Sequence, residues 1–269
     1  MKTISTDHGR ISVAAHGATL VSWQIPYRGG WRELLLVPSD VKQNPDYLGA
    51  FIGPYAGRID STDGVLLHGG KDGYSHRQWQ LTVGEDVITA ELAEESVRVS
   101  YRLVLGGLDI RIQAAPDTPT PLNLTSHPYF QLAESVSELW LWIPADSIVE
   151  TDLGLGRGWM AVPPELDFRQ PRLIGESQID HCFRTDRLSV WSQEIRLELT
   201  TSYPSVVVYT YDQATEWPKR SGLAIEAQRP INSLAYHPAE PEYHLDRPLE
   251  ACLKWRWRSQ YGDDQRHSP

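Results

Sequence analysis

The chain has 269 residues and a net charge of −10, from 25 Lys and Arg against 35 Asp and Glu, a balance that repels phosphate backbones and argues against nucleic acid as a partner. Hydrophobic residues make up 41% and are interleaved with polar ones, enough for a sizeable core and too many for a disordered chain. No long apolar run follows the opening MKTISTDHGR, so neither a signal peptide nor a membrane span is expected, and the default is a cytoplasmic protein. Cys182 and Cys252 show no CxxC pair and no metal-ligand spacing, so neither a zinc site nor a disulfide framework is expected. The 10 Trp and 12 Tyr against 4 Phe offer flat faces with polar edges. Such faces suit sugar rings, and they suit the cores and surfaces of β-sandwiches equally.

In chain order, the first unusual segment is Gly53-Pro54-Tyr55-Ala56-Gly57-Arg58-Ile59. Arg58 lies between small residues and an Ile that should pack, as either a structural ion-pair member or a substrate clamp. Leu67-His68-Gly69-Gly70 follows, with Trp79 soon after. A His beside two glycines either leaves room for a ligand near the backbone or is a surface residue in a turn. Period-two alternation then places Val97, Val99, Tyr101, Leu103 and Leu105 on one face of a strand. Gly106-Gly107 is the expected two-residue turn into a second strand, Leu108 to Ile112.

Asn123-Leu124-Thr125-Ser126-His127-Pro128-Tyr129-Phe130 gathers hydrogen-bonding side chains and aromatics around one His. Pro128 biases His127 towards an extended backbone, which would hold its ring in a defined direction. Leu139 to Ile143, Ile195 to Leu199 and Val206 to Tyr211 read as further strands. In Leu223-Ala224-Ile225-Glu226-Ala227-Gln228, alternation sets Glu226 and Gln228 on the face opposite Leu223, Ile225 and Ala227. A carboxylate on a rigid strand in apolar surroundings would be a base with a raised pKa, while the bland alternative is a solvent-facing Glu. From Leu253 to Arg258, Leu253, Trp255 and Trp257 share one face and three cations the other, the pattern of a solvated strand face.

Long helical patterns are absent, and 19 prolines and 20 glycines punctuate the strands. Pro116 to Pro121 and Pro163 to Pro171 read as connecting loops. The expected fold class is all-β, a large antiparallel β-sandwich formed by residues 1–269 as one domain.

Taken together and in order, these segments resemble the aldose 1-epimerase (galactose mutarotase) family. Its G-R-x-A-N-R-I pattern is similar to Gly53 to Ile59, and its L-H-G-G is present at Leu67 to Gly70. N-L-T-N-H-x-Y-F-N-L is matched by Asn123 to Leu132, D-H-x-F by Asp180-His181-Cys182-Phe183, and E-x-Q by Glu226-Ala227-Gln228. The resemblance implies a β-sandwich with an open sugar groove, no cofactor and no metal, and a monomer or weak homodimer. It implies that the anomers of a free aldose are interconverted by His127 as general acid at the ring oxygen and Glu226 as general base at the C1 hydroxyl. Arg58, His68 and Asp180 would hold the substrate, and Trp79 and Tyr129 would wall the groove. The acid–base roles require His127 protonated and Glu226 ionised, and a neighbour such as Glu226 or Asp180 would help keep His127 charged.

Four positions depart from the family pattern. Pro54 stands where the first Arg of that pattern stands, Gly57 and Ser126 replace Asn, and Val207 replaces a Gln. A site that loses hydrogen-bonding groups loses discrimination between hydroxyl epimers, so a changed or broadened sugar preference is expected. A non-catalytic sugar-binding or sensing protein on the same scaffold has no need of the His127–Glu226 pair. A hexose-phosphate 1-epimerase would want a cationic cluster, for which Arg77 and Arg229 are the candidates. A glycosidase would pair Glu226 with Asp180 and leave the His127 segment without a use.

Overall fold

The alternating segments pair into antiparallel sheets in a computed structural model that describes residues 1–61, 64–116, 122–233 and 249–260. The Val97–Val104 strand has its odd residues buried and Arg98 and Arg102 exposed, as its period requires. It pairs with Gly107–Ala114, which in turn pairs with the long strand Leu249–Ser259. Together with Arg172–Leu173, Trp140–Trp142, Arg187–Trp191, Ile195–Thr201, Val87–Leu92 and Gln80–Val83, these make a nine-stranded sheet among the described residues. Leu253 and Trp255 point into the core, while on the other face Arg256 pairs with Asp109 at 2.6 Å and Arg258 with Glu198 at 3.6 Å.

The second large sheet has seven strands in the order Leu155–Ala161, Ser147–Asp152, Asp180–Phe183, Ser205–Tyr209, Leu223–Gln228, Tyr129–Phe130 and Leu35–Leu36. Phe130, Phe183, Val206, Val208, Leu223, Ile225 and Ala227 join the main core, where they meet Val99, Tyr101, Ile110, Leu253 and Trp255 of the nine-stranded sheet. The opposite face carries a separate small cluster of Leu36, Leu48, Tyr129, Tyr211 and Ala224. One face of this sheet is therefore core and the other is free to build a site. No helix among the described residues is long and apolar enough to cross a membrane.

Two expectations about strand ends need correction. Val104 pairs with Gly107, so the hairpin turn is Leu105-Gly106 and not Gly106-Gly107. Gly106 supplies the positive φ of +69°, and Leu105, expected on the buried face, is 80% exposed at the tip. Gly107 is already strand, where a Cβ would fall 2.0 Å from the Trp255 carbonyl oxygen. The Val206 to Tyr211 strand ends at Tyr209, because Tyr211 turns into the left-handed region at φ +58°. Most of the Pro116 to Pro121 loop lies outside the described residues.

A four-stranded sheet, Lys2–Thr6, Gly9–Val13, Leu20–Tyr27 and Gly30–Glu33, adds Trp23 and Ile25 to the same core. Its last strand is tied down by the Glu33 carboxylate. Oε1 accepts from the backbone N–H groups of Trp23 (2.8 Å) and Leu35 (3.1 Å), and Oε2 accepts from the Ser22 hydroxyl (2.6 Å). Hydrogen bonds to a charged acceptor are among the stronger ones, and removing it strands several donors. Glu33→Ala is expected to lower the unfolding free energy by about 3 kcal/mol. A urea titration checks this, and an unshifted midpoint would contradict it.

Candidate active site

The free face of the seven-stranded sheet is built by register. Cys182 pairs with Val207 and Val207 with Glu226, so these three form one row across adjacent strands. Two residues along, Asp180, Tyr209, Ala224 and Tyr129 form the next row. Gln228, opposite Ser205, starts a third row on the far side of Glu226. Alternation puts all of these on the same face of the sheet, away from the core. All but Ala224 and Ser205 floor a cleft whose walls come from loops carrying Asp46, Tyr47, Gly57, His68, Gly154, Tyr211, Gln213 and Ile231, and from Arg58 at the start of the strand Arg58–Ser61.

His127 is placed over this floor by its backbone, whose N–H donates to the Ala50 carbonyl and whose C=O accepts from Gly49. Its ring stacks on Tyr129, with centroids 5.1 Å apart at 25°, and meets His68 edge-on at 5.3 Å. Nε2 lies 3.2 Å from Oε1 of Glu226, and both side chains are almost wholly buried. Burial disfavours charge on each. It pulls His127 down to about 4 and pushes Glu226 up to about 8, with the Asp180 charge adding to the rise. The expectation that its neighbours keep His127 charged at neutral pH is therefore corrected: burial lowers its pKa, and neither Glu226 nor Asp180 is among the groups that raise it. Between those limits the closed pair holds one proton, and burial favours it on the carboxyl, facing the imidazole.

His68 sits in a turn at φ +53° but is buried, so it is not a surface His. Its Nδ1 accepts from the Gly57 N–H at 3.2 Å, and burial, then His127 and Arg58, hold its pKa well below the usual value. A neutral ring accepting at Nδ1 carries its proton on Nε2, so His68 is a donor there. Tyr47 packs against its ring at 4.7 Å. Asp46 accepts from the Tyr211 hydroxyl and from the backbone N–H groups of Thr215 (2.9 Å) and Glu216 (3.0 Å). Burial works to raise the Asp46 pKa, but these donors hold it below its usual value.

Six of the seven residues expected at the site, His127, Glu226, Arg58, His68, Asp180 and Tyr129, line this one cleft. Trp79 does not, and its expected place in the groove wall is corrected. It is 2% exposed, packs edge-on against Phe51 and donates its Nε1–H to the Tyr74 carbonyl, so its ring belongs to the core. Of the four departures, Gly57 and Val207 line the cleft, whereas Pro54 and Ser126 do not. Ser126 is fully buried on a short strand against Phe51, and a Cβ at Gly69 would come within 2.8 Å of Pro54. Gly57 has φ +77°, and any Cβ there would be 2.6 Å from Ile231.

Tyr47, Asp46, His181, Tyr211 and Gln213 were not anticipated as lining residues. Tyr209 was legible, since it shares the alternating face of Val207. Asp46 and Tyr47 come from an irregular segment with no period to read. Cys182 lies on the floor beside Val149 and Val207, and burial pushes its thiol up to about 11, as suits a packing residue.

The geometry defines a pocket with a buried imidazole–carboxyl pair on a β-sandwich and hydrogen-bonding groups around it. Residues 2–247 match the family model described as aldose 1-epimerase, and the chain belongs to that family. It is 28% identical to the aldose 1-epimerase of Escherichia coli K12, over 79% of this chain and 80% of that one. Mouse galactose mutarotase is 25% identical, over 94% and 92% of the two chains. Among solved structures, a GalM/aldose epimerase homologue from C. elegans superimposes with a TM-score of 0.84 at 21% identity, covering 96% and 98%. Galactose 1-epimerase from Lactobacillus acidophilus gives 0.80 at 21% identity, covering 96% and 94%. These likenesses agree on the fold.

Proposed function

We propose that this chain is an isomerase that interconverts the α and β anomers of a free aldose through His127 and Glu226. The observation that carries this reading is the 3.2 Å contact between the two side chains in a buried cleft. The two oxygens of a hemiacetal are bonded to one carbon, so the groups that serve them must themselves be neighbours. Glu226 takes the C1 hydroxyl proton while His127 gives a proton to the ring oxygen, and the C1–O bond of the ring breaks to leave an aldehyde. Rotation about C1–C2 exposes the other face of the carbonyl. The hydroxyl oxygen then attacks, its proton returns to His127, and Glu226 protonates the new C1 oxygen.

The step needs the shared proton on His127, whereas burial favours it on Glu226. Both arrangements hold the same number of protons, so transfer across the contact switches between them without solvent. A bound sugar brings hydroxyl dipoles into the cleft. These replace some of the solvation the ion pair lacks. Arg58, the His68 Nε2–H and Asp180 hold the sugar hydroxyls, and Tyr129 supports the His127 ring.

A phosphorylated substrate fits less well. Arg58 is the single Lys or Arg lining the cleft among the described residues, where the carboxyl groups of Asp46, Asp180 and Glu226 also stand. Arg77 is paired with Glu94 and Glu95, and Arg229 donates to the Leu122 carbonyl, so neither lines the cleft. With Gly57 and Val207 leaving two lining positions without hydrogen-bonding side chains, the sugar preference is broadened relative to a strict galactose enzyme. Optical rotation of freshly dissolved α-anomers of several aldoses tests the proposal. Faster drift with protein present is expected for more than one sugar. Binding without acceleration would make the chain a sugar sensor, and strict galactose selectivity would contradict the broadened preference.

A further inference from the structure

Glu226 and His127 account for the anomeric hydroxyl and the ring oxygen, but a third group on the same floor is left over. Gln228 is wholly buried and lines the cleft, and neither its Oε1 nor its Nε2 has a hydrogen-bond partner among the described residues. A buried amide so placed is poised to pair with a ligand, because leaving both its donor and its acceptor unmet is unfavourable. Its neighbours offer no substitute. Val207, diagonal to it on the adjacent strand, is apolar, and Gly57 has no side chain, with a Cβ position 3.8 Å from Nε2.

From this we infer that Gln228 is a specificity-determining residue that reads the hydroxyl on C2, the carbon next to the anomeric one. The inference rests on the mutarotase reading. C1 has two neighbours in the ring, the ring oxygen and C2. His127 serves the ring oxygen from the side of Tyr129, whose partner on the Glu226 strand is Ala224. Gln228 stands two residues from Glu226 in the opposite direction on the same face, roughly 7 Å along the strand. A sugar seated with its C1 hydroxyl on Glu226 and its ring oxygen on His127 turns C2 towards that amide. The amide offers both a donor and an acceptor to one hydroxyl.

The test compares kcat/KM for an aldose and its 2-deoxy analogue, for wild type and Gln228→Met. The wild type is expected to prefer the parent sugar by about tenfold or more, and the variant to lose most of that preference. A merely structural role would lower both rates together and leave the ratio intact. If Gln228→Met fails to fold, the wild-type ratio still decides, since a 2-deoxy sugar turned over as well as its parent overturns the inference. An active wild type with a ratio that Gln228→Met leaves intact removes this inference alone. A wild type that accelerates no aldose removes the mutarotase reading and this inference with it.

Discussion

His127→Ala and Glu226→Ala are each expected to lower kcat for anomer interconversion by about 10²–10⁴-fold, the usual worth of a positioned acid or base. The two losses should not multiply. Acid and base act on the same hemiacetal in one step, and either alone leaves the other without a partner, so the double variant should be about as slow as the worse single one. Both side chains are buried at 3.2 Å, so each substitution also removes packing and an electrostatic partner. Circular dichroism and a thermal scan of each variant separate a lost group from a lost fold. A folded single variant with near wild-type kcat would show that the pair is not the catalytic one.

The second large effect is on pH. The pair holds a single proton between about 4, where burial leaves His127, and about 8, where burial leaves Glu226. Below that range a second proton removes the base, and above it the last proton is lost and no acid remains. The profile of kcat/KM, corrected for the spontaneous reaction, should therefore be a broad bell with limbs near those values, which belong to the pair jointly. A profile rising through neutral pH with a single ordinary His titration would contradict it.

Stability carries the same signature. Between about 4 and 6.5 the unfolded chain binds a proton on His127 that the folded chain refuses, so stability rises with pH. Between about 4.5 and 8 the folded chain keeps a proton on Glu226 that the unfolded chain has lost, so stability falls with pH. The two slopes cancel where they overlap, and from 6.5 to 8 only the Glu226 decline remains, about 2 kcal/mol at 1.36 kcal/mol per pKa unit. Glu226→Gln removes that decline. The variant should gain roughly 4–8 °C in Tm over wild type between pH 6.5 and 8. An equal Tm difference at both pH values would mean that Glu226 does not carry a displaced proton.

Much of this was legible in the sequence because β structure writes its faces in period two. The alternation from Leu223 to Gln228 placed Glu226 and Gln228 opposite the core residues, and the sheet keeps that division. The crowding of polar and aromatic residues around His127 likewise marked a segment two of whose residues, His127 and Tyr129, line the cleft. Trp79 misled because its proximity to Leu67-His68-Gly69-Gly70 in sequence says nothing about which side of the chain its ring takes, and the core took it. A raised pKa for Glu226 was one of two readings of its strand, but the loss of charge on His127 was not legible. It depends on how completely water is excluded, a property of packed loops such as those carrying Tyr47 and Ile231, which have no period to read. Leu105 failed for a simpler reason. Alternation continued one residue past the last ladder pair, into a turn.

The most direct test of the account is proton saturation transfer between the α and β anomeric resonances of an equilibrated aldose, recorded with wild type, His127→Ala and Glu226→Ala. Transfer that wild type brings about and neither folded variant supports is the predicted result. Transfer that persists in either variant, or a sugar that binds the wild type without any exchange of its anomers, would contradict it.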